Sequence, residues 1–271
     1  MTDEELVRLA IREDLGSGDI TTEACVDPER LGKGRIIAKQ DMVLSGTRLA
    51  ALTFAQFGVQ STILHGDGEA VHRGEVVLTL AGPFAGILSA ERVALNFLMR
   101  LSGVATHTAE VVAAAEGQVK VVCTRKTTPL HRGPEKAAVR HGGGVNHRHG
   151  LYDGVLIKDN HIIAAGGIAE AVSRARRNAH HLLKVEVEVE SLDELRQALR
   201  AGADVVLLDN MDDETLAEAV RINAGQAVLE ASGNMDAERI RRIRGLGLDL
   251  ISVGGLIHQS RWVDLSLRLE E

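Results

Sequence analysis

Residues 184–210 read KVEVEVESLDELRQALRAGADVVLLDN, and this stretch decides the fold. Valine and glutamate alternate over 185–190, so in a β-strand the valines face one side and the glutamates the other. A helical segment begins at Ser191, where Glu194 three residues later completes the pattern of a capping box, and a second apolar strand follows it. A strand, a helix and a strand in this order predict parallel strands joined by a right-handed crossover.

The same alternation runs from Val119 through most of the remaining chain. Helical periodicity recurs at 166–180, 191–202, 212–224 and 236–245, with short apolar strands between these segments. Six or seven such units fit a (β/α) barrel, complete or short by one strand. A Rossmann sheet fits less well, because the glycine-rich dinucleotide fingerprint is absent after the first strand.

The first hundred residues follow a different pattern. An opening helix is predicted from Asp3 to Asp14, and 34–88 contains short strand-like pieces separated by glycines, with one helical stretch near 47–57. The apolar, helix-spaced run that follows has Ser89 as its expected N-cap and is long enough for one bent helix or two successive helices. The sequence therefore predicts an α/β protein with two differently built parts.

Composition excludes several classes of protein. The formal net charge of −7 argues against a protein whose main partner is nucleic acid or an anionic membrane, and no apolar run is long enough to span a bilayer. Cys25 and Cys123 lie far apart, without the spacing of a metal site or a disulfide framework. The acidic start of the chain is unlike a secretory signal. These features together predict a cytoplasmic protein.

Positive charge is concentrated in one window. Residues 120–149 contain seven Lys or Arg and one acid, Glu135, which gives a net charge of +6 there and −13 for the rest of the chain. A basic focus inside an acidic protein indicates an anionic ligand. Three glycines at 142–144 would let the backbone approach that ligand closely.

The predicted strands start apolar and end in functional groups. These groups are Arg125 with Lys126, Lys158 with Asp159, Glu188 with Glu190, Asp209 with Asn210, and Glu230 with Ser232. Polar residues at the start of loops explain one or two such cases, but less well five strands in succession. The carboxyl ends of barrel strands build the active site of this fold, so the sequence predicts that both signs of charge converge on one mouth.

Two glycine-containing segments follow the last two strands, EASGN at 230–234 and SVGGLIHQ at 252–259. The last βα loops of a barrel are its usual phosphate site. Exposed amides of Gly233, Gly254 and Gly255 would bind phosphate oxygens there. The residues alone thus predict a barrel that binds a phosphorylated anion, with acids nearby for Mg²⁺ or for ribose hydroxyls.

The same residues allow other chemistries. His141, His147 and His149 suggest a metal site, but no cysteine or acid completes a tetrahedral set nearby in the sequence, and a substrate contact by His147 is the preferred interpretation. Lys126 and Lys158 at strand ends also fit a lysine that forms a Schiff base, which borohydride trapping would detect.

A nucleic-acid-binding module is a further alternative for 120–149. Such a module needs exposed basic and aromatic residues together, and this window has only Tyr152 nearby. No salt-dependent binding to generic DNA is expected at physiological ionic strength.

Long motifs, in order and spacing, resemble those of the quinolinate phosphoribosyltransferases (nicotinate-nucleotide pyrophosphorylase, carboxylating). The motifs are EDLGSGDITT, AERVALNFLMRLSGVAT, TRKTTP, EKAAVRHGGGVNHRHGLYDGVLIKDNHI, EVEVES, LLDNM, LEASG and ISVGGLIH. They are specific, and they cover essentially the whole chain.

The resemblance implies a fold and an assembly. It implies an N-terminal open-faced α/β sandwich at 1–103 and an incomplete parallel α/β barrel of the seven-stranded type at 104–259. The tail, 260–271, would pack back on the first domain. It also implies a homodimer, or a higher oligomer, whose active site takes residues from both subunits.

The resemblance also implies a reaction. Quinolinate and 5-phosphoribosyl 1-pyrophosphate would combine with Mg²⁺ as cofactor to give nicotinate mononucleotide, pyrophosphate and CO₂, a step of de novo NAD synthesis. The alternative within this fold is a paralogue of the molybdenum-associated type that accepts another ring or acid. A substrate panel scored by pyrophosphate release would separate the two.

Site residues carry over position by position. Positions around the quinolinate carboxylates and the ribosyl pyrophosphate are matched by Arg125, Lys126, His147, Arg148 and Lys158, with Thr124 beside them. Arg92 matches an arginine that the neighbouring subunit delivers. Glu188 and Asp209 match acids near the ribose and the metal, and with Lys126 they are the residues expected to act in catalysis. The 5-phosphate loops match Ser232, Gly233, Asn234, Val253, Gly254 and Gly255.

Two positions depart from the family pattern. Leu130 stands where the family usually has glycine after TTP, and Asn234 stands where a second glycine is usual. Asparagine tolerates left-handed backbone geometry, so the phosphate loop is expected to keep its shape.

The glutamates of 184–190 then receive separate roles. Alone, they resemble the wet face of an edge strand. In a barrel strand they would face the lumen, opposite the cationic cluster. Glu186 is expected to be buried and paired with a lysine or arginine, Glu188 to serve the ribose and metal region, and Glu190, at the rim, to help start the next helix.

Overall fold

The structure is a computed structural model that describes residues 1–270. The elements of the first half of the chain are α1 (Asp3–Leu15), α2 (Ile20–Cys25), β1 (Leu31–Ala38), β2 (Met42–Val43), α3 (Thr47–Ala55), β3 (Gln60–Ile63), β4 (Ala70–Val71), β5 (Val76–Pro83), α4 (Phe84–Ala115), β6 (Lys120–Val122) and α5 (Arg132–His141). Those of the second half are β7 (Val155–Ile157), α6 (Asp159–Ala165), α7 (Ile168–Asn178), β8 (Val185–Val189), α8 (Leu192–Arg200), β9 (Val205–Asp209), α9 (Asp213–Asn223), β10 (Val228–Ser232), α10 (Ala237–Ile243), β11 (Leu250–Ser252), α11 (Gly255–His258) and β12 (Leu265–Glu270).

The chain forms two compact units that interleave along the sequence. Unit 1 contains residues 1–109, 128–143 and 259–270, and unit 2 contains 110–127 and 144–258. The domain limits predicted from the resemblance, 1–103 and 104–259 with a returning tail, remain a prediction. Residue 271, the last of that tail, lies outside the described residues.

Unit 1 is built around an antiparallel sheet with strand order β12-β1-β5-β3. The last strand, β12, pairs with β1 from Lys33↔Glu270 to Ala38↔Leu265. Fully buried apolar side chains from the sheet, α3 and α4 form one core, which includes Ile36, Leu78, Phe54, Ile87 and Leu98. Burial of this apolar surface holds the helices on the sheet.

The long apolar run forms the single helix α4, but the prediction that Ser89 caps its start is wrong. The helix begins at Phe84, so Ser89 lies in its second turn. The Ser89 hydroxyl donates a hydrogen bond (2.9 Å) to Asp19, which is itself the N-cap of α2. A serine near a helix start therefore bonds a neighbouring element here instead of the helix's own amides.

Helix α5 was not predicted, because two of its four buried residues, Glu135 and Lys136, are charged. Glu135 is 0% exposed, and its carboxylate accepts hydrogen bonds from Nη2 of Arg100 (2.8 Å) and from the Thr128 amide (2.8 Å). A buried carboxylate needs such partners. Its main partner lies 35 residues away in sequence, so no local pattern reveals the helix.

Unit 2 contains a six-stranded parallel sheet with strand order β6-β11-β10-β9-β8-β7. The α/β class, with an antiparallel first sheet and a parallel second one, is confirmed. The strand count is six, and a seventh position is only a single parallel bridge between Val122 and Val145. Within residues 1–270 the edge strands β6 and β7 do not pair with each other, as in an incomplete barrel.

Side chains of β8 and β10 approach each other across β9. The two strands are separated by β9, so in a flat sheet they would lie about 10 Å apart. Yet a carboxylate oxygen of Glu186 and one of Glu230 lie within 4.8 Å of each other. The valines of β8 are also buried, at 0–1% exposure. The alternating strand is therefore a central one with both faces covered, and the wet-edge interpretation is wrong.

The predicted helices of unit 2 form at α7, α8, α9 and α10, and the prediction of a capping box at α8 is half correct. The Ser191 hydroxyl accepts a hydrogen bond (3.2 Å) from the Glu194 amide, whereas the Glu194 carboxylate accepts one from the amide of Glu190 (2.8 Å). Glu190 thus contributes to the helix start through its backbone. No helix within residues 1–270 is long and apolar enough to cross a membrane.

Candidate active site

The end of β6 carries the first group of predicted site residues. The Thr124 hydroxyl accepts a hydrogen bond (3.1 Å) from the Lys126 amide and fixes the turn after the strand. The Lys126 side chain lies along Gly254, where an added Cβ would be 3.2 Å from Nζ. The structure thus brings together Lys126 and Gly254, which the sequence predicted as separate parts of the site. Any side chain at residue 254 would crowd the Lys126 ammonium group.

Two arginines add positive charge to this end of the sheet. The Arg125 Nε is buried and has no hydrogen-bond partner within residues 1–270. The Arg148 Nη1 donates to the carbonyl oxygen of Gly154 (3.0 Å). Burial and the charge of Arg125 lower the pKa of the Arg148 guanidinium from its usual value. Two cations that raise each other's energy in this way favour an anion between or beside them.

His147 has both ring nitrogens engaged within the chain. Nε2 lies 3.0 Å from Oε2 of Glu186, and Nδ1 accepts a hydrogen bond (2.8 Å) from the Arg148 amide. Because a backbone amide can only donate, the neutral ring carries its proton on Nε2. The expectation that Glu186 is buried is met, but its predicted Lys or Arg partner is wrong, since the partner is His147. Contact between His147 and substrate remains a prediction.

Glu186 and Glu230 form a buried acidic pair beside His147. Glu186 is 7% and Glu230 1% exposed, and each has one carboxylate oxygen without a hydrogen-bond partner in the described chain. Burial and the charge of Glu186 raise the pKa of Glu230 to about 7. Two neighbouring carboxylates in an apolar setting cannot both ionise easily, so Glu230 is partly protonated near neutral pH.

These three residues are also the one His and acid cluster, within residues 1–270, whose atoms are close enough to share a metal ion. A histidine ligand donates a lone pair from the metal-binding nitrogen and usually a proton from the other. Here Nδ1 accepts the Arg148 amide, so Nε2 holds the proton and has no lone pair to offer. The cluster is therefore suited to a proton and not to a metal.

Glu188 and Lys158 meet at the ends of neighbouring strands. The Lys158 Nζ donates a hydrogen bond to Oε2 of Glu188; the side chains are 43% and 13% exposed respectively. The carboxylate is thus less buried than Glu186, two residues earlier, and it is paired with a partly exposed cation that an anionic ligand can attract. This is the geometry that the separate roles of the glutamates require.

Asp209 and the loop at 232–234, the first of the two predicted phosphate loops, are neighbours. The Asn210 amide donates a hydrogen bond (3.1 Å) to the carbonyl oxygen of Ser232, and the Asn210 side chain donates one (2.7 Å) to the Asp209 carboxylate. Gly233 has φ +92°, and Asn234 has φ +48°. The expectation that Asn234 adopts left-handed geometry is therefore met, and the turn keeps its shape with asparagine in place of glycine.

The second predicted phosphate loop follows β11. The Val253 amide donates a hydrogen bond (2.9 Å) to the carbonyl oxygen of Val122, so Val253 fixes the loop and cannot bind phosphate through its N–H. The amides of Gly254 and Gly255 donate no hydrogen bond within residues 1–270. They are the donors of this loop that remain for a ligand.

Arg92 belongs to unit 1, on the exposed side of α4. Its side chain makes no hydrogen bond or ion pair with any other residue that the structure describes. Its predicted role in the site of a neighbouring subunit remains a prediction.

Comparison with known proteins decides between the alternatives. The sequence profile for the quinolinate phosphoribosyl transferase C-terminal domain matches residues 104–268, and that for the N-terminal domain matches 19–102. The chain belongs to the quinolinate phosphoribosyltransferase family. The resemblance found in the sequence motifs is thereby confirmed.

Relatives of the quinolinate phosphoribosyltransferase family match over nearly the full chain. A probable nicotinate-nucleotide pyrophosphorylase (carboxylating) from Bacillus subtilis is 43% identical over 258 residues, covering 94% of this chain and 89% of the relative. A solved nicotinate-nucleotide pyrophosphorylase from Francisella tularensis is 42% identical, with a TM-score of 0.95 and coverage of 99% of this chain and 96% of that one. The Mycobacterium leprae relative is 39% identical over 274 residues, 98% of this chain and 96% of its own.

Proposed function

We propose that this protein transfers the phosphoribosyl group of 5-phosphoribosyl 1-pyrophosphate to quinolinate, with decarboxylation, giving nicotinate mononucleotide, pyrophosphate and CO₂ for NAD synthesis. The observation that carries the proposal is the match of both family domains along the chain. The cations at the ends of the unit 2 strands support it, because both substrates are strongly anionic and must be drawn into a cationic pocket.

In this proposal Arg125, Lys126 and Arg148 bind the quinolinate carboxylates, and the guanidinium groups do so in a bidentate manner. Arg148 is already oriented by its contact with Gly154. Lys158 is held by Glu188 and turns toward the substrates when they bind. Substrate anions thus replace protein–protein ion pairs, which limits the cost of desolvating the lysine.

The ribosyl substrate is held by its two ends. The amides of Gly233, Gly254 and Gly255, with the Ser232 hydroxyl, bind the 5-phosphate. Glu188 and Asp209 lie near the ribose. The bond from C1 of the ribose to the pyrophosphate oxygen breaks while the quinolinate nitrogen bonds to that carbon, and the two carboxylates stabilise the cation-like centre between them.

Loss of CO₂ follows from the product of that step. The ring nitrogen has become cationic, so its charge stabilises the electron pair that the departing carboxyl group leaves on the adjacent carbon, and one proton from solvent then bonds to that carbon. The site needs no strong base for this step. Its task is to hold the remaining carboxylate in place and to favour the transition state over the substrates.

Glu188 and Asp209 also fit a Mg²⁺ ion. They are two carboxylates at the ends of adjacent strands, and no third acid or histidine of residues 1–270 completes a cluster with them. Mg²⁺ is commonly bound in this way, by one or two carboxylates together with water and substrate phosphates. When bound, the ion would neutralise the departing pyrophosphate.

The direct test is to incubate the purified protein with both substrates and Mg²⁺ and to measure nicotinate mononucleotide and ¹⁴CO₂ from carboxyl-labelled quinolinate. Both products should form in equal amounts. Absence of product with folded protein would refute the proposal, and pyrophosphate release with a different acceptor would favour the paralogous function.

We also propose that the active enzyme is a homodimer, or a larger assembly of such dimers, with Arg92 acting in the partner's site. The exposed position of Arg92, without partners in its own described chain, supports this. Mixed Arg92→Ala and Lys126→Ala subunits should then regain about a quarter of wild-type activity, since a random mixture is half hybrid dimers with one intact site each. Hybrids that form without activity would contradict it.

A further inference from the structure

A single arginine side chain of α10 connects two loops of the candidate site. The Arg239 Nη1 donates a hydrogen bond (2.8 Å) to the carbonyl oxygen of Gly233, and Nη2 donates one to the carbonyl oxygen of Met211. Its Nε donates to Oδ1 of Asp213 at 3.1 Å. The side chain is only 14% exposed. All three nitrogens of the guanidinium group are therefore directed at the protein.

The two connected loops carry residues of the proposed ribosyl site. One loop follows Asp209, and the other contains Gly233 and Asn234. Asn210, Gly233 and Asn234 have φ of +54°, +92° and +48°, a left-handed conformation that glycine and asparagine adopt more readily than other residues. The loops are also closely fitted, since an added Cβ on Gly233 would lie 2.2 Å from Oδ1 of Asn210.

The charge of Arg239 is matched within the same cluster. Asp213 receives Nε of Arg239 through Oδ1 and Nε of Arg242 through Oδ2, both at 3.1 Å. Burial acts to raise the pKa of Asp213, but the hydrogen bonds and charges of the two arginines outweigh it, so the pKa lies below its usual value. Arg239 is thus a neutralised structural cation and not a spare charge for an anionic ligand.

We propose that Arg239 is a positioning residue for the ribosyl pyrophosphate. This inference rests on the function proposed above. Arg239 fixes the loop that follows Asp209 against the loop that contains Gly233, so that the distance between the Asp209 carboxylate, which faces the ribose, and the backbone amides that bind the 5-phosphate stays constant. The planar guanidinium group serves three acceptors in different directions, which a lysine ammonium on a flexible stem cannot do at once.

The experiment compares Arg239→Met, Arg239→Lys and the matched control Arg241→Met. Arg241 lies two residues later in the same helix and is exposed, and its side chain has no hydrogen bond or ion pair with the described residues. For each variant, steady-state kinetics give KM for both substrates and kcat. Hydrogen exchange followed by mass spectrometry, without substrates, reports the mobility of peptides that contain 209–213 and 232–234.

Arg239→Met should raise KM for 5-phosphoribosyl 1-pyrophosphate by about 10- to 100-fold, the usual effect of misplacing binding groups by about 1 Å. Quinolinate affinity, measured by calorimetry, should stay within about twofold. Exchange should accelerate in the two loops and not in β9 and β10. Arg239→Lys should recover only part of the loss, and Arg241→Met should match wild type in every measurement.

Unchanged KM together with unchanged loop exchange in Arg239→Met would overturn the inference. Equal losses for both substrates, with faster exchange throughout unit 2, would also overturn it, because they indicate a role in overall stability alone. Failure of the proposed function is a separate result: wild type would then form no product. Loop exchange would still decide whether Arg239 connects the loops.

Discussion

The buried pair of Glu186 and Glu230 makes the stability of this protein depend on pH in an uncommon direction. The pKa of Glu230 rises from the ordinary 4.5 to about 7 in the folded protein. Between these two values the folded state holds a proton that the unfolded state has released. Stability therefore falls as pH rises through this window, the reverse of what a salt-bridged acid does.

The magnitude follows from the two pKa values. They differ by about 2.5 pH units, and each unit corresponds to ~1.4 kcal/mol, so ionising Glu230 lowers the free energy of unfolding by roughly 3 kcal/mol. The effect is absent below about pH 4 and complete above about pH 8. Because Glu230 is 1% exposed, solvent screens little of it.

Glu230→Gln tests this reasoning, because glutamine has the shape of the protonated acid and cannot ionise. Urea unfolding of both proteins between about pH 4 and pH 8 should show equal stability at the acid end. The variant should be more stable by about 3 kcal/mol at the basic end. Glu238→Gln is the control, because the Glu238 side chain is 83% exposed. Its unfolding free energy should differ from that of wild type by the same amount at every pH. If the difference in unfolding free energy between Glu230→Gln and wild type is also independent of pH, the raised pKa of Glu230 is refuted.

Three further predictions follow from single contacts. Leu130 is 69% exposed with φ +67°, so Leu130→Gly should raise the free energy of unfolding in urea by up to about 1 kcal/mol; a decrease would contradict the strain. Gly233→Ala would place Cβ 2.8 Å from the Asn210 amide nitrogen, and KM for the ribosyl substrate should rise at least about tenfold with an unchanged circular dichroism spectrum. Arg100→Met leaves buried Glu135 unpaired and should cost about 3–5 kcal/mol of unfolding free energy, whereas adding Glu135→Gln should restore most of it.

Periodic segments of this chain could be predicted from sequence, since periodicity reports burial directly. The alternation in β8 and the helical spacing of α7 to α10 give the parallel layer, and the position of Glu188 and Asp209 at strand ends follows from it. Leu130 was singled out by the resemblance because it replaces a glycine. The structure gives the physical reason, since its backbone has the left-handed conformation that glycine adopts most easily.

Contacts between distant segments could not be predicted. The partner of Glu186 was expected to be a lysine or arginine, but it is His147, 39 residues away. Charge patterns along the chain indicate that a buried acid needs a hydrogen-bonding or charged partner. They do not indicate which residue that partner is. Helix α5 was missed for the same reason. Arg100, which stabilises the buried carboxylate of Glu135 by a hydrogen bond, lies on α4 and not on α5.

The pairing of β12 with β1 also has a consequence for synthesis on the ribosome. Residues 265–270 emerge after every other described element, so until then β1 pairs only with β5. For that interval β1 is an open edge, with unpaired amides and carbonyls that can pair with strands of other chains. All segments of unit 2 lie before residue 259. The nascent chain can therefore complete its parallel sheet while its antiparallel sheet still lacks an edge, and aggregation during translation should begin at β1.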